Sequence, residues 1–299
     1  MHPNFALRRL VDSVQPEAGE VQAIRDGFGA VRTALATAFP RSRFVPIGSH
    51  CRGTAIAVHS HVDFLARLPS DWVTWGAHRV SPVTIIHRMI ESMTQLRLAP
   101  EVRPDGRGVA LYFKRGTFTV DVLPGFLVRV SDSYPVYLMP GEDNRWIEAA
   151  PESHNALFSR SNAECGAKLQ AISRLVRAWR FAGRPPFEIS SLYVDMMLAT
   201  SDIASGVKSY GQSLSDFFRA LVERELQGLS DPAGVSGVIV ASSSNAALDR
   251  LYDAAKAAAA HARAALDAQL RGDNAEANHQ WETIFRRRIS RRQQYAMGG

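Results

Sequence analysis

Residues 47–67 read IGSHCRGTAIAVHSHVDFLAR, and this stretch decides how the rest of the chain is interpreted. The pair Gly48–Ser49 ends a short apolar segment, and Arg52–Thr54 follows at the start of the next element. Backbone N–H groups at such a turn, with a hydroxyl and a guanidinium beside them, can hold a polyphosphate. Taken alone, a Gly-Ser pair before a helix is also an ordinary turn and helix cap.

Three further side chains have the chemistry of metal ligands. His61 and Asp63 stand two residues apart at the start of an apolar strand, so both point to the same face. Asp121 lies within a second apolar strand, where a carboxylate is costly to bury unless it holds a metal or a partner. Each also has an ordinary interpretation, as a solvated carboxylate or a packed histidine. His59 shares the face of His61 by the same alternation, which would give a histidine pair for a metal.

The composition predicts a globular, cytoplasmic protein. The chain has 299 residues, enough for about two domains, and 46% of them are hydrophobic and 21% charged. These values exclude a disordered, collagen-like or coiled-coil chain. Two cysteines, Cys51 and Cys165, are too few for a disulfide framework or a zinc ribbon. The first 15 residues lack the apolar core of a signal peptide, and no apolar run approaches the ~20 residues of a membrane span. The net charge of +6 comes mostly from arginine, which suits phosphate ligands without requiring them.

Hydrophobic periodicity predicts a mixed α/β first half and a helical second half. The first half should contain helices over residues 21–39 and 82–98, strands over 43–48, 62–68, 109–113 and 117–126, and a hairpin turn at 114–116. The second half should contain helices around 169–179, 189–200, 217–226, 245–270 and 273–288. The high alanine content of residues 245–270 indicates close helix packing or simply high helix propensity.

The change in composition near residues 145–155 predicts the domain boundaries. We expect one lobe over residues 1–150, a helical domain over 151–288 that closes a nucleotide cleft, and a flexible tail over 289–299.

The pattern as a whole resembles the polymerase-β-like nucleotidyltransferases. Their pattern GSxx[KR]GT, followed by [DE]xD and a third acid, is matched by GSHCRGT at 48–54, HVD at 61–63 and VDVLP at 120–124, except for the histidine. More narrowly, LVRAWR at 175–180, SSLY at 190–193 and the segment 267–285 resemble the cGAS/oligoadenylate-synthase-like branch and its bacterial antiphage (CBASS) cyclic-oligonucleotide synthases. The resemblance implies an α+β fold: a nucleotidyltransferase lobe with a mixed sheet, plus a C-terminal helical domain.

The resemblance also implies a two-metal mechanism in which nucleoside triphosphates are joined into a cyclic di- or oligonucleotide and pyrophosphate is released. Asp63 and Asp121 would hold Mg²⁺, with Mn²⁺ as the alternative, and Asp121 would orient the attacking hydroxyl. His61 stands where the family has its first metal-binding acid, and imidazole suits transition-metal ions better than Mg²⁺. If the lost carboxylate is worth ~4 kcal/mol in the transition state, the rate falls about a thousandfold. The chain could be a natural pseudoenzyme, a variant that uses another metal, or an inactivated form made for study.

The remaining roles follow from the resemblance residue by residue. The triphosphate of the donor would contact Gly48, Ser49, Arg52 and Arg177. The alternative for Arg177 is a solvated basic helix face. Ser191 and Tyr193 would contact or stack on the base, although the family often has its aromatic residue one position earlier.

Possible partners are also read from the resemblance. The substrates would be nucleoside triphosphates, a separate effector would respond to the product in antiphage defence, and a membrane partner is not expected. The final Gly299 matches a conjugation site for a ubiquitin-transfer-like partner enzyme, or is an ordinary flexible end. The basic cluster Arg286–Arg292 could contact nucleic acid, so a nucleic-acid activator is one alternative. Two other functions stay in competition with the synthase: a nucleotide-binding scaffold without chemistry, and a transferase that acts on an RNA end or a small-molecule acceptor.

Overall fold

The structure is a computed structural model that describes most of the chain. The described residues are 1–17, 19, 29, 31–33, 35–57, 61–75, 78–95, 99, 101–113, 119–141 and 143–287. Several predictions lie outside them: the first part of the helix over 21–39, the hairpin turn at 114–116, the role of His59, and the tail with Gly299.

A mixed sheet of seven strands organises the first half. The strands in chain order are β1 Arg43–Ile47, β2 Val62–Arg67, β3 Thr74–Trp75, β4 His78–Arg79, β5 Glu101–Asp105, β6 Gly108–Tyr112, β7 Thr119–Ser131, β8 Tyr134–Pro140 and β9 Trp146–Ala149. Strands β3 and β4 form a separate hairpin, and the large sheet has the order β1-β2-β7-β6-β5. Among the strands of the described residues, only β2 and β7 run parallel. The second half of β7 continues into an antiparallel sheet with β8 and β9.

Helix Pro82–Gln95 covers this sheet because of where its apolar residues fall. Pro82 stands in the first turn, where its missing N–H costs nothing. Ile85, Ile86, Met89 and Met93 recur at three- and four-residue spacing and are buried against Val109, Val120 and other strand residues of the core. The predicted helix over residues 82–98 is thus confirmed as far as Gln95.

The second half is built from helices. Their bounds are Pro151–Glu164, Lys168–Ala182, Ser191–Ala199, Tyr210–Glu223, Asn245–Leu270 and Asn274–Phe285. Ser244 caps the longest of these, and Ala255, Ala258, Ala262 and Ala265 form a buried stripe along it. The alanine content therefore reflects close packing between helices. None of the helices in the described ranges is both long enough and apolar enough to cross a membrane.

Contacts divide the chain into two compact units. The sheet unit contains residues 16–159 and 230–237, and the helical unit contains residues 1–15, 160–229 and the chain from 238 on. The N-terminal helix, Pro3–Val14, packs on other helices of the helical unit. The predicted functional domains over 1–150 and 151–288 stay a prediction.

The predicted α+β class with a mixed sheet and a helical C-terminal part is confirmed. Sequence reasoning missed helices Pro3–Val14 and Pro151–Glu164 and strands β3, β4, β5, β8 and β9. It also placed only helices after residue 155, whereas the two-residue strands Leu229–Ser230 and Val238–Ile239 occur there.

Candidate active site

Asp63 and Asp121 are direct neighbours in the sheet. They pair in register on the parallel strands β2 and β7, so their side chains leave the sheet on the same face. On its other side Asp63 pairs with Ile47, the last residue of β1. The Gly-Ser turn begins at the next residue, which brings the turn beside the two carboxylates.

The turn at Gly48 requires glycine for two reasons. Its φ of +77° is in the left-handed region, and a Cβ at this position would overlap the carboxylate of Asp63. A short helix, Gly48–Arg52, follows and ends at Gly53 with φ +67°. The N–H of Thr54 donates to the carbonyl of Ser49 at 2.9 Å, which closes the turn. The sequence motif therefore forms a tight loop packed against Asp63.

His61 precedes β2 and contacts the third acid. Its Nδ1 lies 2.7 Å from Oδ2 of Asp121. The hydrogen bond to Asp121 raises the pKa of His61, although partial burial opposes the shift. The side chain of Asp121 is 14% exposed, and its buried Oδ1 accepts no hydrogen bond from any described residue. This oxygen is an orphaned buried acceptor, which costs free energy unless a further group binds there.

Asp105 is a fourth member of the site that sequence reasoning missed. Ligand atoms of His61, Asp105 and Asp121 all lie within 4.8 Å of one another. Asp105 ends β5 and pairs with Gly108 across the hairpin DGRG, next to the strand that bears Asp121. The sequence does show an aspartate in a Gly-rich turn at 105–108. It does not show that the hairpin formed by this turn pairs with the strand that bears Asp121.

These donors fit a divalent cation. Carboxylate oxygens are the ligands that Mg²⁺ and Mn²⁺ prefer, and imidazole adds a nitrogen donor for transition-metal ions. The orphaned oxygen of Asp121 supplies the acceptor that such an ion would use. Asp63, held against Gly48, contributes a second carboxylate on the same face of the sheet.

The side chain of Arg52 is buried and held in one orientation. Its Nη1 donates to Oδ1 of Asn155 at 2.9 Å, and only 6% of the residue is exposed. Asn155 is on the helix Pro151–Glu164 that the sequence did not predict. The predicted phosphate ligand is thus fixed in orientation within the sheet unit, and Ser49 beside it is also buried.

Arg177 belongs to a buried polar network in the helical unit. Its Nη2 lies 3.1 Å from Oδ2 of Asp195, and its Nη1 donates to Oγ of Ser191 at 2.7 Å. Ser173 donates to the other oxygen of Asp195 at 2.5 Å. The solvated basic face, one of the two interpretations of Arg177, is therefore wrong for this residue. The structure instead brings Arg177 into direct contact with Ser191 and with Asp195, and Asp195 is a residue that sequence reasoning missed.

Tyr193 does not have the geometry of a base-stacking residue. Its side chain is completely buried, and its hydroxyl donates to the carbonyl of Gln227 at 3.0 Å. The prediction that its ring stacks on a base is corrected here, because both faces pack inside the helical unit. Ser191 and Leu192 are the half-buried residues of the same turn.

The sequence profile of the Second Messenger Oligonucleotide or Dinucleotide Synthetase (SMODS) domain matches residues 1–162, more than half of the chain. The chain belongs to the SMODS family. This membership confirms the predicted resemblance to the cGAS-like nucleotidyltransferases and their bacterial synthases. That His61 occupies the position of the family's first metal-binding acid stays a prediction.

Solved structures share the SMODS chain's fold over nearly its full length. Escherichia coli MS115-1 CdnC with ATP has a TM-score of 0.75 at 18% identity, covering 95% of this chain and 98% of that chain. Bradyrhizobium diazoefficiens CD-NTase CdnG with GTP has a TM-score of 0.72 at 11% identity, with the same coverage. Vibrio cholerae DncV cyclic AMP-GMP synthase with the linear intermediate 5′ pppA(3′,5′)pG has a TM-score of 0.62 at 12% identity, covering 96% and 88%.

None of the curated proteins matches the SMODS chain significantly. At the low identities above, the solved structures establish the fold, and the family assignment establishes the class. The SMODS chain has the domain of a nucleotidyltransferase that makes second-messenger oligonucleotides or dinucleotides.

Proposed function

We propose that this SMODS chain joins nucleoside triphosphates into a cyclic di- or oligonucleotide with release of pyrophosphate. The observation that carries the proposal is the in-register pair of Asp63 and Asp121 beside the Gly-Ser turn. One carboxylate pair on one sheet face, next to a tight loop, is the arrangement that two-metal phosphoryl chemistry requires. ATP bound to CdnC and GTP bound to CdnG support triphosphates as the substrates.

Asp63 and Asp121 would hold the divalent metal, Mg²⁺ or Mn²⁺. When bound, the metal lowers the cost of the charge that develops on the attacking and leaving oxygens. From the resemblance, Asp121 would also orient the attacking hydroxyl. The fixed strand pairing keeps both carboxylates in position before substrate arrives, so little reorganisation is needed.

The donor triphosphate would bind at the turn. The backbone at Gly48 and the hydroxyl of Ser49 supply polar contacts, and the orientation of Arg52 is fixed by Asn155. From the helical unit, we assign Arg177 to the phosphates and Ser191 to the nucleoside. The ion pair with Asp195 holds the Arg177 guanidinium, which in turn donates to the Ser191 hydroxyl.

We further infer that His61 impairs catalysis with Mg²⁺. A neutral imidazole replaces the negative charge of a bridging carboxylate, and it already contacts Asp121. The roles in antiphage defence, a responding effector and conjugation at Gly299 are proposed from the resemblance alone.

The test compares the chain with its His61→Asp variant. Both are incubated with all four triphosphates, in Mg²⁺ and in Mn²⁺ separately, and the products are identified by mass spectrometry. Asp132→Asn, on an exposed turn of the sheet unit, is the matched control. We expect His61→Asp to raise product formation in Mg²⁺ by about a thousandfold. Equal rates in the two proteins would contradict the impairment, and no product from either would contradict the synthase.

A nucleotide-binding scaffold is the second candidate, and His61 is the observation that favours it. This function predicts that ATP binds with micromolar or tighter affinity while both proteins form no product, even with nucleic acid supplied. Isothermal titration calorimetry with ATP measures this binding directly. Both candidate functions require that ATP binds, and a chain that has lost nucleotide binding would show no heat of binding.

A further inference from the structure

The hairpin DGRG accounts for a turn residue at position 105, but asparagine would serve the turn as well, so the turn does not explain the carboxylate. Asp105 is exposed at the end of β5, and its carboxylate makes no hydrogen bond or ion pair within the part of the chain that the structure describes. Yet a ligand atom of Asp105 lies within 4.8 Å of those of His61 and Asp121. The sequence pattern that carries the family resemblance does not include this residue.

Two carboxylates this close repel each other unless positive charge compensates them. The burial of Asp121 increases that cost, because its side chain is only 14% exposed and water screens it poorly. Its Oδ1 adds an independent observation, since a buried oxygen with no described hydrogen-bond partner indicates a missing ligand. A cation among the three side chains would satisfy both requirements.

The donor set identifies the class of cation. His61 offers an imidazole nitrogen, and Asp105 and Asp121 each offer a carboxylate oxygen. Mg²⁺ strongly prefers oxygen ligands in near-ideal octahedral geometry, whereas mixed nitrogen and oxygen sets favour divalent transition-metal ions. The Asp105 carboxylate also adds one negative charge to the site, which compensates for the charge that is lost when histidine replaces an acid at position 61.

We propose that Asp105 is a metal ligand of this chain and that His61, Asp105 and Asp121 together select a divalent transition-metal ion over Mg²⁺. The proposal deepens the proposed function, on which it rests for the role of the metal. Asp105 comes from the tip of the β5–β6 hairpin, so the third ligand enters from a different strand than the family pattern uses. The chain would then be adapted to another ion, with its metal site intact.

Binding of Mn²⁺ without nucleotide tests this proposal independently of activity. Electron paramagnetic resonance of free Mn²⁺ gives the dissociation constant for the chain, for Asp105→Asn and for the control Asp132→Asn. Asparagine suits the hairpin turn at 105, so the variant should fold. We expect Asp105→Asn to weaken Mn²⁺ binding by at least about tenfold, and Asp132→Asn to leave it unchanged.

Pulsed electron paramagnetic resonance then asks whether histidine coordinates the ion. The bound Mn²⁺ should show spin-echo modulation from an imidazole nitrogen, which His61→Asp should remove, and a large excess of Mg²⁺ should fail to displace Mn²⁺ from the unaltered chain. Mn²⁺ that binds without nitrogen modulation, or with no dependence on Asp105, would overturn the proposal. Binding with these properties but no cyclic product would leave the metal site standing and refute the synthase.

Discussion

Asp63 and Asp121 lie opposite each other on two parallel neighbouring strands of the large sheet, and Gly48 packs on the Asp63 carboxylate. This pairing joins residues 58 positions apart in the sequence, and the turn loop is attached to it directly. The two strands therefore hold the backbones of Asp63 and Asp121 at the spacing of neighbouring strands, about 4.8 Å.

The first prediction concerns these carboxylates. Asp63→Asn and Asp121→Asn, each made in the His61→Asp background, should lower product formation by at least about a thousandfold, because each removes a charged metal ligand. Product is measured by mass spectrometry, and far-ultraviolet circular dichroism checks the fold. Asp132→Asn in the same background should retain full activity. Retained activity in either active-site variant would remove that residue from the proposed metal site.

The second prediction separates backbone strain from the contact at Gly48. Gly48→Ala and Gly106→Ala both place a side chain at positive φ, which costs about 1–2 kcal/mol. A Cβ at Gly106 meets nothing within 4 Å, whereas a Cβ at Gly48 overlaps the Asp63 carboxylate. Urea denaturation should therefore show a clearly larger loss of unfolding free energy for Gly48→Ala. Equal losses would mean that Asp63 moves away freely and that the close packing is unimportant.

Much of this site was predictable because its parts are local. The Gly-Ser turn lies within a few residues of the first strand, and the alternation of strand side chains places His61 and Asp63 on one face. The helix over Asn245–Leu270 was predicted with its observed bounds, since its caps and alanines are strong local signals.

The missed residues depend on long-range pairing. Asp105 reaches the site only because β5 and β6 form a hairpin beside β7, and Asn155 reaches Arg52 across 103 positions. Helical periodicity left the surroundings of Arg177 undecided, because its partner Asp195 lies on another helix. For Tyr193, a motif position suggested a base contact, but burial follows from how several helices pack together.

The third prediction tests the buried ion pair of Arg177 and Asp195. Asp195→Asn leaves the guanidinium buried without its counter-charge, which should cost about 3–5 kcal/mol of unfolding free energy. Asp267→Asn breaks the exposed pair with Arg263 and should cost less than about 1 kcal/mol. Denaturant unfolding measures both variants. The double variant Arg177→Met with Asp195→Asn should recover part of the loss, and a simple sum of the single losses would contradict coupling.

The fourth prediction concerns Asp231, which anchors the loop over residues 231–237 in the sheet unit. Its carboxylate accepts hydrogen bonds from the backbone N–H groups of Ala233, Val235 and Ser236, and Nε2 of His154 lies 2.6 Å away. Burial opposes ionisation of Asp231. The hydrogen bonds from Ser236, His154 and Ala233 outweigh it and hold the pKa of the carboxyl well below its usual range.

This lowered pKa fixes the sign of the pH dependence. The unfolded chain takes up a proton near the ordinary aspartate pKa of about 3.9, before the folded chain does. The stabilisation by Asp231 is therefore fully present above that pH and is lost as pH falls through the lower pKa of the folded state. Asp231→Asn should reduce the unfolding free energy by at least about 2 kcal/mol at pH 7. The difference from the unaltered chain should shrink in urea titrations below pH 4. The exposed Asp249→Asn should show no such pH-dependent difference, and a constant difference for Asp231→Asn down to pH 2 would show that packing, not charge, holds the loop.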